Sequence, residues 1–179
     1  GGVRSVETDG VIVTGQFLPE VPLLRDSHLA VDPQSGGPQI DQFMRLSDPS
    51  YFAAGNVLRP VETAGWCWNE GRMAAGLIAQ SLKDGLPEGR ACVRLSVAGP
   101  HLKYAVPQRL LADDAAQAVR HLQVRVNATA RWRLVIALDG RDVWSQKIAA
   151  LPERRILVPL RWLEPGMSGH AAIRLDETA

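Results

Sequence analysis

The second half of the chain alternates apolar and polar residues with a period of two, and this feature restricts its fold more than any other. In a β-strand, such alternation buries one face and leaves the other in contact with water. Short alternating segments separated by turn-forming residues are typical of antiparallel sandwiches and barrels. We therefore predict an antiparallel β-sandwich over residues 91–179, with strands at 93–97, 102–106, 122–126, 132–138, 143–148, 156–160 and 172–175.

One pair of these strands is joined by a recognisable turn. Asp139-Gly140 lies between the segments 132–138 and 143–148. An Asp-Gly pair favours the two-residue turns whose twist matches that of a hairpin. We predict that these two strands pair with each other.

The first half of the chain has a different pattern. A short apolar run at 51–54 stops at Gly55-Asn56, and a loop and a segment rich in Ala and Gly follow. The helix is expected to begin near 62–65 and to end at Gly85, which is followed by Pro87. Apolar spacing predicts one closely packed helix face made of Ala64, Cys67, Gly71, Ala74, Ala75, Ile78, Ala79 and Leu82.

Two further elements are predicted upstream of this segment. The continuous apolar run at 11–14 is typical of a buried strand. The segments 29–31 and 39–40 are separated by turn formers and predict a small hairpin.

The turn after the apolar run has the features of a ligand site. Gly55 permits close approach of the backbone, and Asn56 carries both a donor and an acceptor. The helix start offers free backbone N–H groups with a partial positive charge. An anionic or electron-accepting group would suit this position.

The same residues resemble the C-terminal part of the FAD-binding domain in the pyridine nucleotide-disulfide oxidoreductase superfamily. The resemblance rests on the segments 52–56 and 70–75, and on 7–15 with Pro19. Within the superfamily, Gly-Asn-Val-Leu is similar to the branch of FAD-dependent amine and polyol dehydrogenases. That branch includes the alpha-type subunits of sarcosine oxidase and of opine or hydroxyproline dehydrogenases, and relatives of the anaerobic glycerol-3-phosphate dehydrogenase operon. The resemblance implies an NAD(P)-linked oxidoreductase whose FAD is contacted by Gly55, Asn56, Val57, Thr63, Ala64 and Gly65.

The resemblance covers about residues 6–87 and so corresponds to the last portion of such a domain. No Gly-x-Gly-x-x-Gly turn, which would hold the pyrophosphate, occurs in the sequence. The implied fold is α+β, with a partial α/β (Rossmann-like) FAD-binding segment at 1–88 and the β-sandwich after it. We expect the remaining FAD- and NAD(P)-binding part to lie on other polypeptide, and FAD to be absent from this chain alone.

Several side chains near the helix start allow two interpretations each. Trp66 and Trp68 would either wall a flavin or substrate, or anchor the helix on neighbouring structure. Cys67 would be either a redox thiol or an inert one. Glu62 and Glu70 would act as proton acceptors or as partners of the helix dipole. No catalytic residue is assigned.

Composition excludes other classes of function. The net charge is +1, and the pairs Arg131/Arg133 and Arg154/Arg155 are interpreted as solvated strand faces, so nucleic acid is not an expected partner. Neither the four histidines nor the two cysteines have the spacing of metal ligands, and we expect no metal site. No apolar run approaches the ~20 residues of a membrane span, which favours the cytoplasm.

A non-enzymatic alternative remains open from the sequence. In it, the β-sandwich is a binding or assembly module of a multi-subunit dehydrogenase, and the preceding α/β segment is its docking base. A homo-oligomer is compatible with either function.

Overall fold

The computed structural model describes residues 2–12, 17–88, 92–112 and 119–177, and it is mostly β with few helices. The helices are α1 (Pro22–Arg25) and α2 (Ala64–Asp84), and single 3₁₀ turns occur at Gly55–Val57 and Leu160–Trp162. The strands are β1 (Cys92–Val97), β2 (Leu102–Val106), β3 (Arg109–Leu111), β4 (His121–Val126), β5 (Ala130–Leu138), β6 (Arg141–Ala150), β7 (Ile156–Pro159) and β8 (Gly169–Glu177).

The strands form two sheets that share one apolar core. The larger sheet has the order β3-β1-β8-β5-β6, and the smaller has the order β2-β4-β7. Leu134 and Ile136 of the larger sheet and Leu122 and Val124 of the smaller belong to the same buried cluster. The alternation that predicts strands therefore also fills the space between the sheets.

The seven predicted strands all coincide with observed ones, and the predicted hairpin is confirmed. Leu138 pairs with Arg141 across the turn, and both Asp139 and Gly140 have positive φ, at 46° and 86°. Positive φ at both central residues is the requirement of the type I′ turn. Strand β3 was not predicted, because three residues are too short to show a period.

The prediction of a purely antiparallel sandwich is wrong in one respect. Strands β1 and β8 pair in parallel, so the larger sheet is mixed. Alternation determines which face of a strand is buried, but not the direction of its neighbour.

The outer face of the smaller sheet is covered by the first half of the chain. Tyr104 and Val106 of β2 belong to a second apolar cluster, whose other buried members come from the first half and from α2. Alternate residues of β4, Gln123 and Arg125, also lie on this outer face and are buried. The smaller sheet is therefore buried on both faces, with apolar contacts on one and mixed contacts on the other.

Both ends of helix α2 agree with the sequence, but its buried face does not. Thr63 is the N-cap, and Gly85 ends the helix with a φ of 76°. The buried residues are Glu70, Ala74 and Leu77. Of the predicted face, Ala74 is buried and Cys67 is half-buried, whereas six positions are exposed: Ala64, Gly71, Ala75, Ile78, Ala79 and Leu82.

The physical reason for this error is the charge of Glu70. An apolar pattern leaves a carboxylate out of the buried stripe, yet Glu70 is buried because arginine and amide donors lie opposite it. The helix is turned accordingly, and much of its small-residue face remains in contact with solvent.

The upstream strands are not formed as predicted in the described residues. The run at 51–54 makes one isolated bridge, between Arg45 and Phe52. Val11 and Ile12 are exposed and have no regular structure, and positions 13–16 lie outside the described residues. The predicted hairpin at 29–40 is reduced to a bridge between Val31 and Pro38.

Candidate functional site

The turn at Gly55 packs directly against the first turns of α2. Gly55 has a φ of 77°, a conformation that residues with a side chain rarely adopt. A Cβ built on Gly55 would lie 3.5 Å from both Cβ and Sγ of Cys67. Its N–H donates to Oε2 of Glu70 at 2.9 Å. The turn is thus held to the helix by packing and by a buried carboxylate.

Asn56 and Thr63 shape the loop between the turn and the helix. The Oδ1 of Asn56 accepts from the N–H of Glu62 at 2.8 Å, which leaves the Nδ2 of this exposed side chain as a donor. The Oγ1 of Thr63 caps the helix by accepting from the N–H of Trp66 at 3.4 Å. The N–H groups of Ala64 and Gly65 have no acceptor among the described residues. Three donors are therefore available at this end of the helix.

Beneath the turn, Glu62 accepts hydrogen bonds from three arginines. Nη2 of Arg125 and Nη2 of Arg155 lie 2.6 and 2.5 Å from its two carboxylate oxygens, and Nε of Arg59 lies at 3.3 Å. Burial by itself would raise the pKa of Glu62, but the hydrogen bonds from Arg155 and Arg125, together with the charge of Arg59, hold it below its ordinary value. Glu62 is therefore an anion at neutral pH.

Glu70 is the second acceptor in the same network. Its Oε1 accepts from Nη2 of Arg59 at 2.5 Å, from the indole Nε1 of Trp66 at 2.7 Å and from Nε2 of Gln123 at 3.0 Å. Since its Oε2 accepts from Gly55, this carboxylate connects the turn, the helix and strand β4. We use the name charge cluster for the five residues Arg59, Glu62, Glu70, Arg125 and Arg155.

Tyr104 borders the charge cluster from strand β2. Its hydroxyl donates to the carbonyl of Pro60 at 2.6 Å. Burial raises the pKa of Tyr104 to about 12, and the nearby arginine charges oppose this only in part. The phenol therefore stays protonated and supports the loop as a hydrogen-bond donor.

This geometry bears on the two interpretations of Glu62 and Glu70. Glu62 accepts bonds from three arginines and is a weak proton acceptor, because protonation would sacrifice those interactions. In the described part of the chain, neither carboxylate accepts from a backbone N–H of the first turn of α2. Glu62 instead serves as a counter-ion between the two halves of the chain, and Glu70 pairs with Arg59 and reaches the second half through the amide of Gln123.

The aromatic and cysteine residues at the helix start divide into inward and outward groups. Trp66 lies under Arg155, whose guanidinium carbon is 3.6 Å from the centroid of the indole ring. This contact anchors the helix. Trp68 is mostly exposed, with Arg72 over its ring at 4.8 Å. Cys67 is a free, half-buried thiol against Gly55.

Sequence reasoning missed most members of the charge cluster. Arg125 and Gln123 alternate with core residues of β4, and such polar positions are ordinarily solvated. Arg154 is exposed as predicted, but its neighbour Arg155 binds Glu62. One signal was available in the sequence. The loop 59–62 contains an arginine and a glutamate beside apolar residues, which is unusual for so short a segment.

The described residues contain no group of three or more His, Cys, Asp or Glu side chains arranged to hold a metal ion. In the same part of the chain, none of the helices has both the length and the apolar character needed to cross a membrane.

The chain was compared with models of protein families, with curated proteins and with solved structures, and none of the three comparisons gave a match.

Proposed function

We propose that this chain is the C-terminal part of an FAD-dependent, NAD(P)-linked oxidoreductase, in which it contributes the flavin-facing turn and helix start. The observation that carries the proposal is the grouping of six residues at one end of α2: Gly55, Asn56, Val57, Thr63, Ala64 and Gly65. A short loop separates the first three of these residues from the last three in the sequence. The hydrogen bond from the N–H of Glu62 to Oδ1 of Asn56 closes this loop.

The donors at this position suit the acceptor-rich end of a flavin. The pyrimidine part of an isoalloxazine carries carbonyl oxygens, and the N–H groups of Ala64 and Gly65 and the Nδ2 of Asn56 are donors. A Cβ built on Gly65 meets nothing within 4 Å, so a flat ring has room to approach. The positive end of α2 would favour the anionic reduced form.

FAD, when bound, would supply the hydride chemistry. The residues of this chain would bind and orient it through the turn and the helix start, while Glu70 holds Gly55 in position. No residue of the described part is assigned a proton transfer.

The proposal includes a Rossmann-like origin for the segment 1–88 and a β-sandwich for the remainder. An exposed apolar face on α2 supports the proposal that another polypeptide completes the segment 1–88. Trp68, Ile78 and Leu82 are 61, 38 and 84% exposed, and a contiguous apolar face of this kind is typical of a surface that a partner covers. The expected partner is the polypeptide that completes the FAD and NAD(P) domains.

The test is to produce this chain together with the polypeptide encoded upstream and to titrate the complex with FAD by fluorescence quenching. Asn56→Leu should weaken FAD binding by about 1 to 3 kcal/mol, because a hydrogen-bonding side chain is lost. Asn56→Asp loses the Nδ2 donor but keeps the acceptor for the N–H of Glu62, so it should be tolerated better than Asn56→Leu, which loses both. Asn69→Leu, on the exposed side of α2, is the matched control and should bind FAD like the wild type.

A complex that binds no flavin, or equal affinities for the wild type and Asn56→Leu, would remove the turn from the cofactor site. The exposed face of α2 would then favour the second candidate, a non-catalytic assembly module. In that case a colourless chain should associate with itself or a partner subunit, and Leu82→Glu should disrupt the association.

A further inference from the structure

A cavity of about 100 Å³ lies between α2 and the outer face of the smaller sheet. Its wall is largely apolar and includes residues from both halves of the chain. Exposed residues Arg120, His121 and Leu157 are part of its lining and mark its opening to solvent. The buried part of the lining includes Ile40, Met44, Leu58 and Val106, whereas Met73 is 38% exposed.

One hydrogen-bond acceptor in this wall retains unused capacity. Nε2 of Gln123 donates to Oε1 of Glu70, and because a carboxylate only accepts, the orientation of the amide is fixed. The Oε1 of Gln123 is then buried, and it has no donor among the described residues. Buried acceptors without donors are uncommon in folded proteins.

We propose that this cavity is a binding site for a small aromatic molecule with one hydrogen-bond donor, of the phenol class. An apolar cavity of about 150 Å³ holds a benzene molecule, and this one is somewhat smaller but open at one side. Met44 and Met73 offer sulfur contacts to a ring. The ligand's hydroxyl would donate to Oε1 of Gln123.

This inference goes beyond the proposed flavin contact and does not depend on it. The cavity is on the side of Glu70 that faces Gln123, whereas the turn bonds to the other oxygen of the same carboxylate. A chain without any flavin would retain the cavity.

The experiment uses the full chain and two probes of equal ring size. Phenol carries the donor, and toluene replaces it with a methyl group. Calorimetric titration should show phenol binding to the wild type, and Gln123→Met should weaken it about 5- to 10-fold, the factor expected for one neutral hydrogen bond. Toluene should bind Gln123→Met at least as well as the wild type. Leu157→Trp, which fills the opening, should abolish binding of both probes.

A readout on the wild-type protein makes the test independent of how the variants fold. In an amide nitrogen–proton spectrum, phenol should shift the signals of Met73, Val106 and His121. The proposal is overturned if neither probe binds at millimolar concentration, if the shifts lie elsewhere on the chain, or if Gln123→Met binds phenol as tightly as the wild type.

Discussion

The molecule has two buried regions, one apolar and the other combining an apolar cluster with buried charges. Between the two sheets, the buried residues form a continuous apolar cluster that includes Leu134 and Ile173. Between the smaller sheet and the first half, charged side chains are equally buried: the side chains of Arg59, Glu62 and Arg125 are 0, 1 and 4% exposed. Apolar burial is non-directional, whereas a buried charge is tolerated only with its partners in place.

The two regions should therefore lose stability in different ways when a residue is substituted. An apolar core loses stability in proportion to the contacts and the volume that are removed. A charge cluster loses more when one partner is removed, because the others remain buried without compensation. The first half is therefore attached both by apolar packing and by charge pairs that need each partner in place.

The largest effect is expected for Glu62→Gln. The neutral side chain would leave Arg125 and Arg155 without a carboxylate partner and Arg59 with Glu70 alone. The free energy of unfolding should fall by about 3 to 5 kcal/mol, as for other buried pairs from which one member is removed. Urea denaturation measures this change.

The matched control is Glu164→Gln, at an exposed glutamate outside the charge cluster, which should not change stability. If Glu62→Gln lowers the free energy of unfolding by less than about 1 kcal/mol, the ion pairs of Glu62 behave like solvent-exposed ones. The contrast between the two regions would then be wrong.

In the apolar region, Leu134→Ala should lower the free energy of unfolding by about 2 to 5 kcal/mol. Leu134 is fully buried on the central part of β5. Leu151→Ala, at an exposed leucine, is the control. High salt should leave the Leu134→Ala loss unchanged, and a loss that depends strongly on salt would contradict an apolar origin.

The orientation of α2 is tested by two neighbouring alanines. Ala74→Leu should destabilise by about 1 to 3 kcal/mol because Ala74 is buried against the second apolar cluster. Ala75 is exposed and points away from that cluster, so Ala75→Leu should change the temperature of thermal unfolding little. Equal losses for the two variants would show that the exposed face is covered in solution, which the complete oxidoreductase or a self-associating chain would explain.

The smallest effect concerns pH. The pKa of Glu62 is lowered in the folded chain, so its contribution to stability is complete above its ordinary value of 4.5 and is lost as the pH falls through the folded value. The difference in unfolding free energy between the wild type and Glu62→Gln should be constant from neutral pH to about 5 and should shrink below 4.5. A difference that grows on acidification would contradict the assignment of Glu62 as the anion of the cluster.

Much of the fold could be predicted because its signals are local. The strands from 92 onward follow alternation, the turn at Asp139-Gly140 follows backbone preferences, and α2 begins and ends at capping residues that the sequence contains. Of the candidate site, the turn and the helix start could be placed next to each other for the same reason. Gln123, Arg125 and Arg155 could not be found, because a polar residue at an outward strand position has the same appearance whether water or a glutamate lies opposite it.

From residue 55 onward, local sequence patterns were enough to predict α2, the turn at Asp139-Gly140 and every strand except β3, together with the apolar face of each predicted strand. These properties depend on the spacing of residues a few positions apart and on the preferences of Gly, Asp and Pro for particular backbone conformations. Only the folded chain makes β1 and β8 run parallel, makes α2 bury Glu70 rather than Ala75, and brings Glu62 to Arg125 of β4 and to Arg155, which directly precedes β7. Those outcomes depend on pairs of residues about 50 to 90 positions apart, since charge compensation in a buried site is set by the side chains that the whole fold brings together.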